Sequence, residues 1–287
     1  MSLINRFSHI YEPSGVLRLS GGDLLVIEDD GHNPLHLIPV IDGSSAFLGQ
    51  PVSLPLSTSV GDLEGISSGR DGTVFLITSF SPTRKNKRKK KRQRLIQFQI
   101  ENGRIVNELH YDNLLPYLTR HLAKEKSVGT KGADTLNIEG IALDKENDSL
   151  LIGFRSPLEK NKAVIIVLEN PYDLFSTSAS PVFSPRNILL DIGGEGIRGM
   201  GYDDIEGGYL ITNEVKNRKG NLRPALWFWK GDPSSKSAGI PLPKLKGVKN
   251  IEGITPITIG SRHFLFLVCD DGARKKKKGA HYILLER

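Results

Sequence analysis

The strongest constraint on the fold of this chain is a short motif that recurs along it. Residues 137–143 read Asn-Ile-Glu-Gly-Ile-Ala-Leu, residues 63–67 read Leu-Glu-Gly-Ile-Ser, and residues 250–254 read Asn-Ile-Glu-Gly-Ile. A fourth copy at 196–201 has Arg198 in place of the glutamate. Each copy is followed by an apolar segment of strand length. Repeats of this kind indicate an architecture built from similar units.

The apolar segments predict five groups of strands arranged as the blades of a closed ring. The last group has three strands, and residues 3–10 form a strand without a partner of its own, so we expect that strand to complete the last blade. Closure of this kind removes exposed sheet edges. A sixth blade would need another copy of the motif, which the sequence does not contain. We predict one domain over residues 1–287, an all-β five-bladed β-propeller, with blades at 15–56, 63–112, 137–192, 197–245 and 250–287 plus 3–10.

One segment between the second and third groups departs from the strand pattern. In residues 112–126, apolar side chains fall on one face at helical spacing, and Asp112 or Asn113 can cap the N-terminus. The stripe consists of Leu114, Leu115, Leu118 and Leu122. We predict a short amphipathic helix inserted between blades 2 and 3.

The positive charge of the chain is concentrated in two short segments. The formal net charge is +7, but residues 84–94 contain nine Lys or Arg and residues 274–278 contain five. The remainder is mildly acidic. The single cysteine, Cys269, excludes an intrachain disulfide. Residues 1–15 show no apolar signal segment, and no stretch is apolar enough to span a membrane. We predict a cytoplasmic monomer.

Two parts of the sequence resemble known propellers. Residues 137–143 followed by Leu-Ile-Gly-Phe-Arg-Ser-Pro at 151–157, together with residues 27–35, resemble an uncharacterised bacterial propeller family whose function is unknown. This resemblance implies the propeller and no activity. More distantly, the repeated Glu-Gly-Ile is similar to phytase-like and calcium-dependent esterase or lactonase propellers. In those proteins acidic residues around the central channel hold calcium.

The propeller geometry predicts where the polar residues of the motif gather. The innermost strand of each blade starts, and the second strand ends, at the same mouth of the central channel. Carboxylates there suit a hard cation such as Ca²⁺. The predicted metal ligands are Glu64, Glu139, Glu252, Asp29, Asp30 and Asp270. The predicted ligand-binding residues are Arg155, Arg198, Asn213 and Glu214. His32 is the candidate acid or base.

A structural role for the same residues is the alternative, and we favour it over metal binding. Arg198 and Arg155 can pair with the glutamates as a buried charge network. A motif that repeats in several blades is what such a role predicts, whereas a unique site needs asymmetry. Arg198 supplies that asymmetry.

The basic segments 84–94 and 274–278 are predicted to join second and third strands, on the face of the same mouth. They suit a small anionic ligand or a polyanion contacted through its phosphates. A solvated, unstructured charge run is the interpretation that we favour. Neither segment contains an aromatic residue, so stacking on nucleic-acid bases is not indicated, and no sequence-specific nucleic-acid motif is present.

Two functions remain open from the sequence. The first is a ligand-binding propeller, in its most specific form a calcium-assisted hydrolase of a phosphate or carboxylic ester. The second is a non-enzymatic scaffold that binds a polyanion or a partner protein through the basic loops. No zinc-protease spacing, nucleophile elbow or phosphate-binding glycine loop occurs in the sequence.

Overall fold

The chain forms five four-stranded antiparallel sheets, each built from consecutive strands except where the chain termini meet. This arrangement is seen in a computed structural model, which describes residues 2–29, 33–41, 47–124, 135–177, 179–243, 245 and 247–287. The prediction of an all-β five-bladed propeller is therefore confirmed.

Each of the first three blades consists of four consecutive strands. The N-terminal strand is β1 (Ser2–Arg6). Blade 1 consists of β2 (Pro13–Arg18), β3 (Leu24–Glu28), β4 (Leu35–Ile38) and β5 (Val52–Leu54). Blade 2 consists of β6 (Leu63–Ser68), β7 (Val74–Thr78), β8 (Leu95–Glu101) and β9 (Arg104–Tyr111). Blade 3 consists of β10 (Asn137–Asp144), β11 (Ser149–Ser156), β12 (Ala163–Leu168) and β13 (Ile188–Leu190).

The last two blades follow the same plan. Blade 4 consists of β14 (Gly199–Asp203), β15 (Gly208–Lys216), β16 (Leu222–Trp229) and β17 (Ala238–Ile240). Blade 5 consists of β18 (Ile251–Ile259), β19 (Arg262–Cys269) and β20 (His281–Glu286), and β1 pairs with β20 from Ser2–Leu285 to Arg6–His281. The first strand of the chain thus supplies the fourth strand of the last blade.

The repeated glycine marks the point where each innermost strand packs against the next blade. A Cβ atom at each of these glycines would press on a residue of the following innermost strand, and after the fifth blade the contact returns to the first. The glycine and its neighbour are in turn Gly15 and Ile66, Gly65 and Ile141, Gly140 and Met200, Gly199 and Glu252, and Gly253 and Val16. The glycine of the motif recurs because the close packing of neighbouring innermost strands leaves room for a hydrogen atom at that position but not for a side chain.

The residue before that glycine forms a one-residue bulge in four of the five blades. In β6, Leu63 pairs with Thr78 and Gly65 pairs with Ile77, so Glu64 has no partner on the neighbouring strand. The same shift occurs around Ser14, Glu139 and Glu252. A bulge re-aims the extra side chain away from the ordinary alternation of a strand. The Glu-Gly pair therefore encodes a device that aims a carboxylate at the channel mouth.

The predicted helical insertion is present as α1 (Leu115–Lys124). Its residues Leu118 and Leu122, and the preceding Leu114, are fully buried in a cluster with apolar side chains of blades 2 and 3. A second, four-residue helix, α2 (Asp173–Ser176), lies between β12 and β13. The insertion fills the space between two blades, which explains the long gap between their motifs.

Two tryptophans and the single cysteine of the chain contribute to packing between blades. Trp229 is fully buried in a cluster of side chains from blades 3 and 4, and Trp227 packs against that cluster. Cys269 is buried between blades 4 and 5. Blade 4 was predicted to extend to residue 245, but its last strand ends at Ile240. Pro241 and Pro243 follow, and proline has no N–H to donate to a strand ladder.

Candidate ligand site at the channel mouth

The centre of the mouth is a charge network around Arg198. This residue precedes β14, and its guanidinium contacts carboxylates from three blades. Nη2 lies 3.1 Å from Oε2 of Glu214, Nη1 forms an ion pair with Glu252, and Nη1 lies 3.6 Å from Oε2 of Glu139. The arginine side chain is 13% exposed. The network that the structural interpretation predicts is therefore present.

A second arginine joins the same network from the solvent side. Arg155, near the end of β11, donates to Oε1 of Glu139 over 2.8 Å, and its side chain is 47% exposed. Asn137 donates to the same oxygen over 2.8 Å. Both arginines line a cavity of about 390 Å³ between blades 3 and 4. Its wall also includes Leu158, Glu195, Glu214 and Leu222.

Glu64 differs from the other glutamates of the ring. In the described part of the chain its carboxylate has neither a hydrogen-bond nor an ion-pair partner. Burial raises the pKa of Glu64 well above its usual range, and the negative charges of Glu139, Glu252, Asp62 and Asp29 raise it further. Glu64 therefore keeps a proton to higher pH than an ordinary glutamate does.

Burial also raises the pKa values of three other carboxyl groups. For Glu139 the effect of burial outweighs the opposing effect of Arg198 and Arg155. For Glu252 the charge of Glu139 adds to burial and Arg198 opposes it. For Asp270 burial dominates and Asn250 and Arg198 oppose it. The carboxyl groups around Arg198 and Arg155 thus outnumber these two arginines.

The calcium set predicted from the sequence is brought together in part. The charges of Glu139, Glu252 and Asp29 raise the pKa of Glu64, and those of Glu139, Asp270 and Asp29 raise the pKa of Glu252. Asp30 and the candidate acid or base His32 lie outside the described residues. Among the residues that the structure describes, no group of three or more His, Cys, Asp and Glu is arranged to hold a metal ion. The oxygen donors suit calcium chemically, but their described positions form no such group.

Asn213, predicted from the sequence to bind a ligand, makes its hydrogen bonds inside the protein. Its side chain is fully buried. It donates to the carbonyl of Ile192 over 2.8 Å and accepts from Nε1 of Trp227 over 2.9 Å. Both ends of the amide are thus engaged inside the protein, where they join blade 4 to the segment before it.

A second buried carboxylate, Glu28 at the end of β3, was not singled out from the sequence. It accepts hydrogen bonds from Tyr11 N (2.8 Å), Glu12 N (3.1 Å), His36 Nε2 (2.8 Å) and Arg274 Nη2 (2.8 Å). Burial alone would raise the pKa of Glu28, but the bonds from His36 and the two backbone groups outweigh it and lower that pKa. The only available signal was its place at the end of a second strand, beside Asp29.

The basic loops are folded onto the protein through their arginines. Both contain a short 3-10 helix, at Lys90–Arg92 and Arg274–Lys276. Arg92 pairs with Asp62 over 2.7 Å and Arg274 pairs with Glu28 over 2.8 Å. The interpretation as unstructured loops is therefore wrong for these arginines, because carboxylates at the mouth hold them. The four lysines at 275–278 are exposed.

Fold and site together define the protein as a five-bladed β-propeller with a charged channel mouth. Residues 78–212, which span parts of blades 2 to 4, match the model of a family described as "Protein of unknown function (DUF3616)". No curated protein matches the sequence. The match agrees with the resemblance to a propeller family of unknown function and supplies no activity.

Solved propellers from different contexts share the fold. The allergen Mala s 1 of Malassezia sympodialis is similar with a TM-score of 0.56 and 10% identity, covering 99% of this chain and 95% of the allergen. A GH43 β-1,3-galactosidase has a TM-score of 0.53 at 10% identity, covering 97% and 90%. A GH43 protein from Bacillus licheniformis has a TM-score of 0.51 at 12% identity, covering 94% and 50%. These likenesses show the fold alone.

The structure also bears on membrane insertion. Among the residues described, no helix is long and apolar enough to cross a bilayer.

Proposed function

We propose that the protein binds a positively charged ligand at the channel mouth, and that Glu64 is the residue that receives the charge. The observation that supports this is the isolation of Glu64. Its carboxylate has no partner among the described residues, while four other carboxylates raise its pKa. Surrounding negative charge favours the protonated carboxyl group, and the same negative charge favours the binding of another cation in place of the proton.

The charge balance of the mouth points in the same direction. Glu64, Glu139, Glu214 and Glu252 face two guanidinium groups, Arg155 and Arg198. With all groups ionised this set has a net formal charge of −2. Oε2 of Glu139 is in addition buried without a hydrogen-bond partner. A bound cation would supply the missing charge and a partner for that oxygen.

The cation is either a metal ion or an ammonium group of an organic ligand. Calcium is the metal that carboxylate oxygens select. In that case the residues that would hold the ion are Glu64, Glu139, Glu252, Asp29, Asp30 and Asp270, and the ion would supply Lewis-acid polarisation of an ester oxygen. The cavity of about 390 Å³ beside Arg155 takes the organic part of that ester, and His32 is its candidate acid or base.

Thermal unfolding separates the two sources. The protein is melted with EGTA, with calcium, and with an organic polyamine such as spermidine at the same ionic strength. One of the two cations is expected to raise the melting temperature of the wild type. Glu64→Gln is expected to abolish that rise, and Glu146→Gln, which changes an exposed glutamate of the blade 3 hairpin, is expected to keep it. The absence of any cation-specific rise in the wild type contradicts the proposal.

Hydrolysis is tested by turnover with a panel of phosphate and carboxylic esters in calcium and in EGTA. Calcium-dependent turnover that Glu64→Gln reduces about 100-fold or more supports the hydrolase. A rise in melting temperature with calcium, without turnover, leaves binding as the function of the mouth and excludes ester hydrolysis for the panel.

A second function is favoured by the way the basic loops are fixed. Because Arg274 is bound to the buried Glu28, the adjacent Lys275–Lys278 are presented from a defined position at the rim. Four exposed lysines in a row can neutralise several charges of a polyanion without reading a sequence. We infer from this a polyanion-binding rim, as in the scaffold hypothesis.

The rim is tested with heparin and with polyphosphate as probes. Replacing Lys275–Lys278 by glutamine is expected to weaken binding and to reduce the slope of log K against log salt by about 3. The matched control replaces four lysines elsewhere, namely Lys124, Lys160, Lys162 and Lys236. Equal losses in both variants indicate a general charge effect and exclude a specific rim.

A further inference from the structure

The opposite end of the channel holds a second cavity, with a volume of about 430 Å³. It lies where the innermost strands end, and all five blades contribute to its wall. β2 contributes Arg18, β6 contributes Ser68, and β18 contributes Thr255. Blade 3 contributes Lys145, directly after β10, and blade 4 contributes Tyr202. The cavity is therefore coaxial with the channel and separate from the mouth around Arg198.

Arg18 is the distinctive group of this cavity. Its side chain is half-buried, and within the described residues it forms no ion pair and no side-chain hydrogen bond. Its backbone N–H donates to Oγ1 of Thr255 over 3.2 Å. Arg155, Arg198 and Arg274, by contrast, each pair with a carboxylate. A guanidinium that is partly removed from water without a counter-charge favours binding of an anion.

The other charged groups of the wall give the cavity a net positive character. Lys145 is exposed, and its Nζ lies 4.6 Å from the centre of the Tyr202 ring. Asp204 is the one carboxylate among the residues that line the cavity, and it is exposed at the rim. Two cationic groups and one anionic group leave a formal charge of +1. The two ends of the channel thus differ in sign.

Hydroxyl groups provide the remaining polar surface. Ser20, Ser68, Thr73 and Thr255 line the cavity. Together with the face of Tyr202 they suit a ligand that itself carries hydroxyl groups and an apolar face. A volume of about 430 Å³ lies within the range of small-molecule sites, roughly 300–1,000 Å³, and exceeds what a bare inorganic anion fills.

We propose that this cavity binds a small hydroxylated organic oxyanion, such as a sugar phosphate or a sugar acid, with its anionic group on Arg18. Lys145 closes the opposite side of the anion, and the serine and threonine hydroxyls contact the ligand hydroxyls. Asp204 excludes anions that approach along its side of the rim. The site is independent of cation binding at Glu64.

The test measures binding by calorimetry at constant ionic strength. The probes are inorganic phosphate, glucose 6-phosphate, gluconate and uncharged glucose. At least one of the two sugar anions is expected to bind more tightly than phosphate and than glucose. Arg18→Gln is expected to weaken that binding by about 10- to 100-fold, since a hydrogen bond to a charged group contributes roughly 1.5–3 kcal/mol. Asp204→Asn is expected to strengthen it.

Two controls keep the result specific. Arg104→Gln makes the same change at an exposed arginine of the outer strand β9, and it is expected to leave binding unchanged. Glu64→Gln is also expected to leave binding of the sugar anion unchanged. A failure of the proposed cation site at the channel mouth is thereby distinguished from a failure of the proposed anion site in this cavity. The proposal is overturned if no sugar anion binds up to millimolar concentration, if glucose binds equally well, or if Arg18→Gln binds like the wild type. Far-ultraviolet circular dichroism confirms that each variant is folded.

Discussion

Nη1 of Arg198 lies 3.6 Å from Oε2 of Glu139, close enough for the charges to attract but too far for a hydrogen bond. The same guanidinium binds Glu214 and Glu252 directly. One arginine therefore joins carboxylates of blades 3, 4 and 5. The fourth copy of the motif differs from the others because a ring of glutamates alone would leave these charges unopposed.

Replacing Arg198 by methionine tests how far the mouth depends on this one cation. Loss of one partner from a buried ion network is expected to lower the free energy of unfolding at pH 7 by about 3–5 kcal/mol. The loss is expected to shrink toward pH 5, because the carboxyl groups left behind take up protons. Urea unfolding measures both values. Arg223→Met, at an exposed position in the same blade, is the control, and an equal loss there would contradict the role of Arg198.

The raised pKa of Glu64 predicts a pH dependence with a defined sign. Burial and four carboxylates raise the pKa of Glu64 in the folded state, so between the ordinary glutamate range and that raised pKa the folded protein binds more protons than the unfolded one. The free energy of unfolding therefore falls as the pH rises through this window. Glu64→Gln is expected to reduce that fall, which urea unfolding from pH 4 to pH 8 measures without calcium. Glu146→Gln is the control.

The architecture is predictable from sequence because its determinants are local and repeated. A glycine is needed wherever an innermost strand meets the next blade, as at Gly65 and Gly140, so the constraint appears once in each blade. The pairing of the N-terminal strand with the last blade is predictable because the last group contains only three strands and needs a fourth. The same repetition predicts that the glutamate before the glycine lies at the channel mouth. The sequence does not predict the bulge that aims Glu64.

The ion pairs that join separate parts of the chain are not predictable in this way. Arg274 and Glu28 are 246 positions apart in the sequence, and neither belongs to the motif that repeats from blade to blade. Arg92 lies in a run of basic residues, and nothing in the local sequence distinguishes it from the neighbouring lysines. Only the fold shows that it pairs with Asp62. The arginine of the far cavity, Arg18, has no motif at all. Such contacts depend on which blades adjoin, and therefore on the closed ring.

Glu28 provides a pH prediction of the opposite sign. Hydrogen bonds outweigh burial and lower the pKa of Glu28 in the folded state, so its contribution to stability is present above the ordinary glutamate range and is lost as the pH falls through the lowered pKa. Glu28→Gln is expected to lower the free energy of unfolding at pH 7 by about 2–3 kcal/mol, and by less in acid. Urea unfolding at several pH values measures this. Glu101→Gln, at an exposed position, should cause no such change.

Two ion pairs that differ in burial allow a matched comparison of their arginines: Arg287 pairs with the buried Asp203, and Arg262 pairs with Glu286. Asp203 is fully buried and accepts hydrogen bonds from Ile205 N (3.1 Å) and from Arg287. Arg287→Ala is expected to lower the free energy of unfolding by about 1–3 kcal/mol, because the carboxylate keeps its burial and loses its counter-charge. Arg262→Ala removes an exposed pair with Glu286, for which about 0–1 kcal/mol is expected. Equal losses in thermal or urea unfolding would show that burial of Asp203 is irrelevant.

The glycine relay around the channel is tested by adding one methyl group at Gly199. A Cβ atom there would overlap the carbonyl oxygen of Glu252 in the next blade. Backbone cannot move aside as a side chain can, so Gly199→Ala is expected to lower the free energy of unfolding by about 3 kcal/mol or more. At Gly239, on the outer strand of the same blade, the nearest atoms would lie 3.8 Å away on Trp227, so Gly239→Ala is expected to be neutral within about 0.5 kcal/mol. Urea unfolding compares the two, and a neutral Gly199→Ala would show that the ring does not depend on close contact at this glycine.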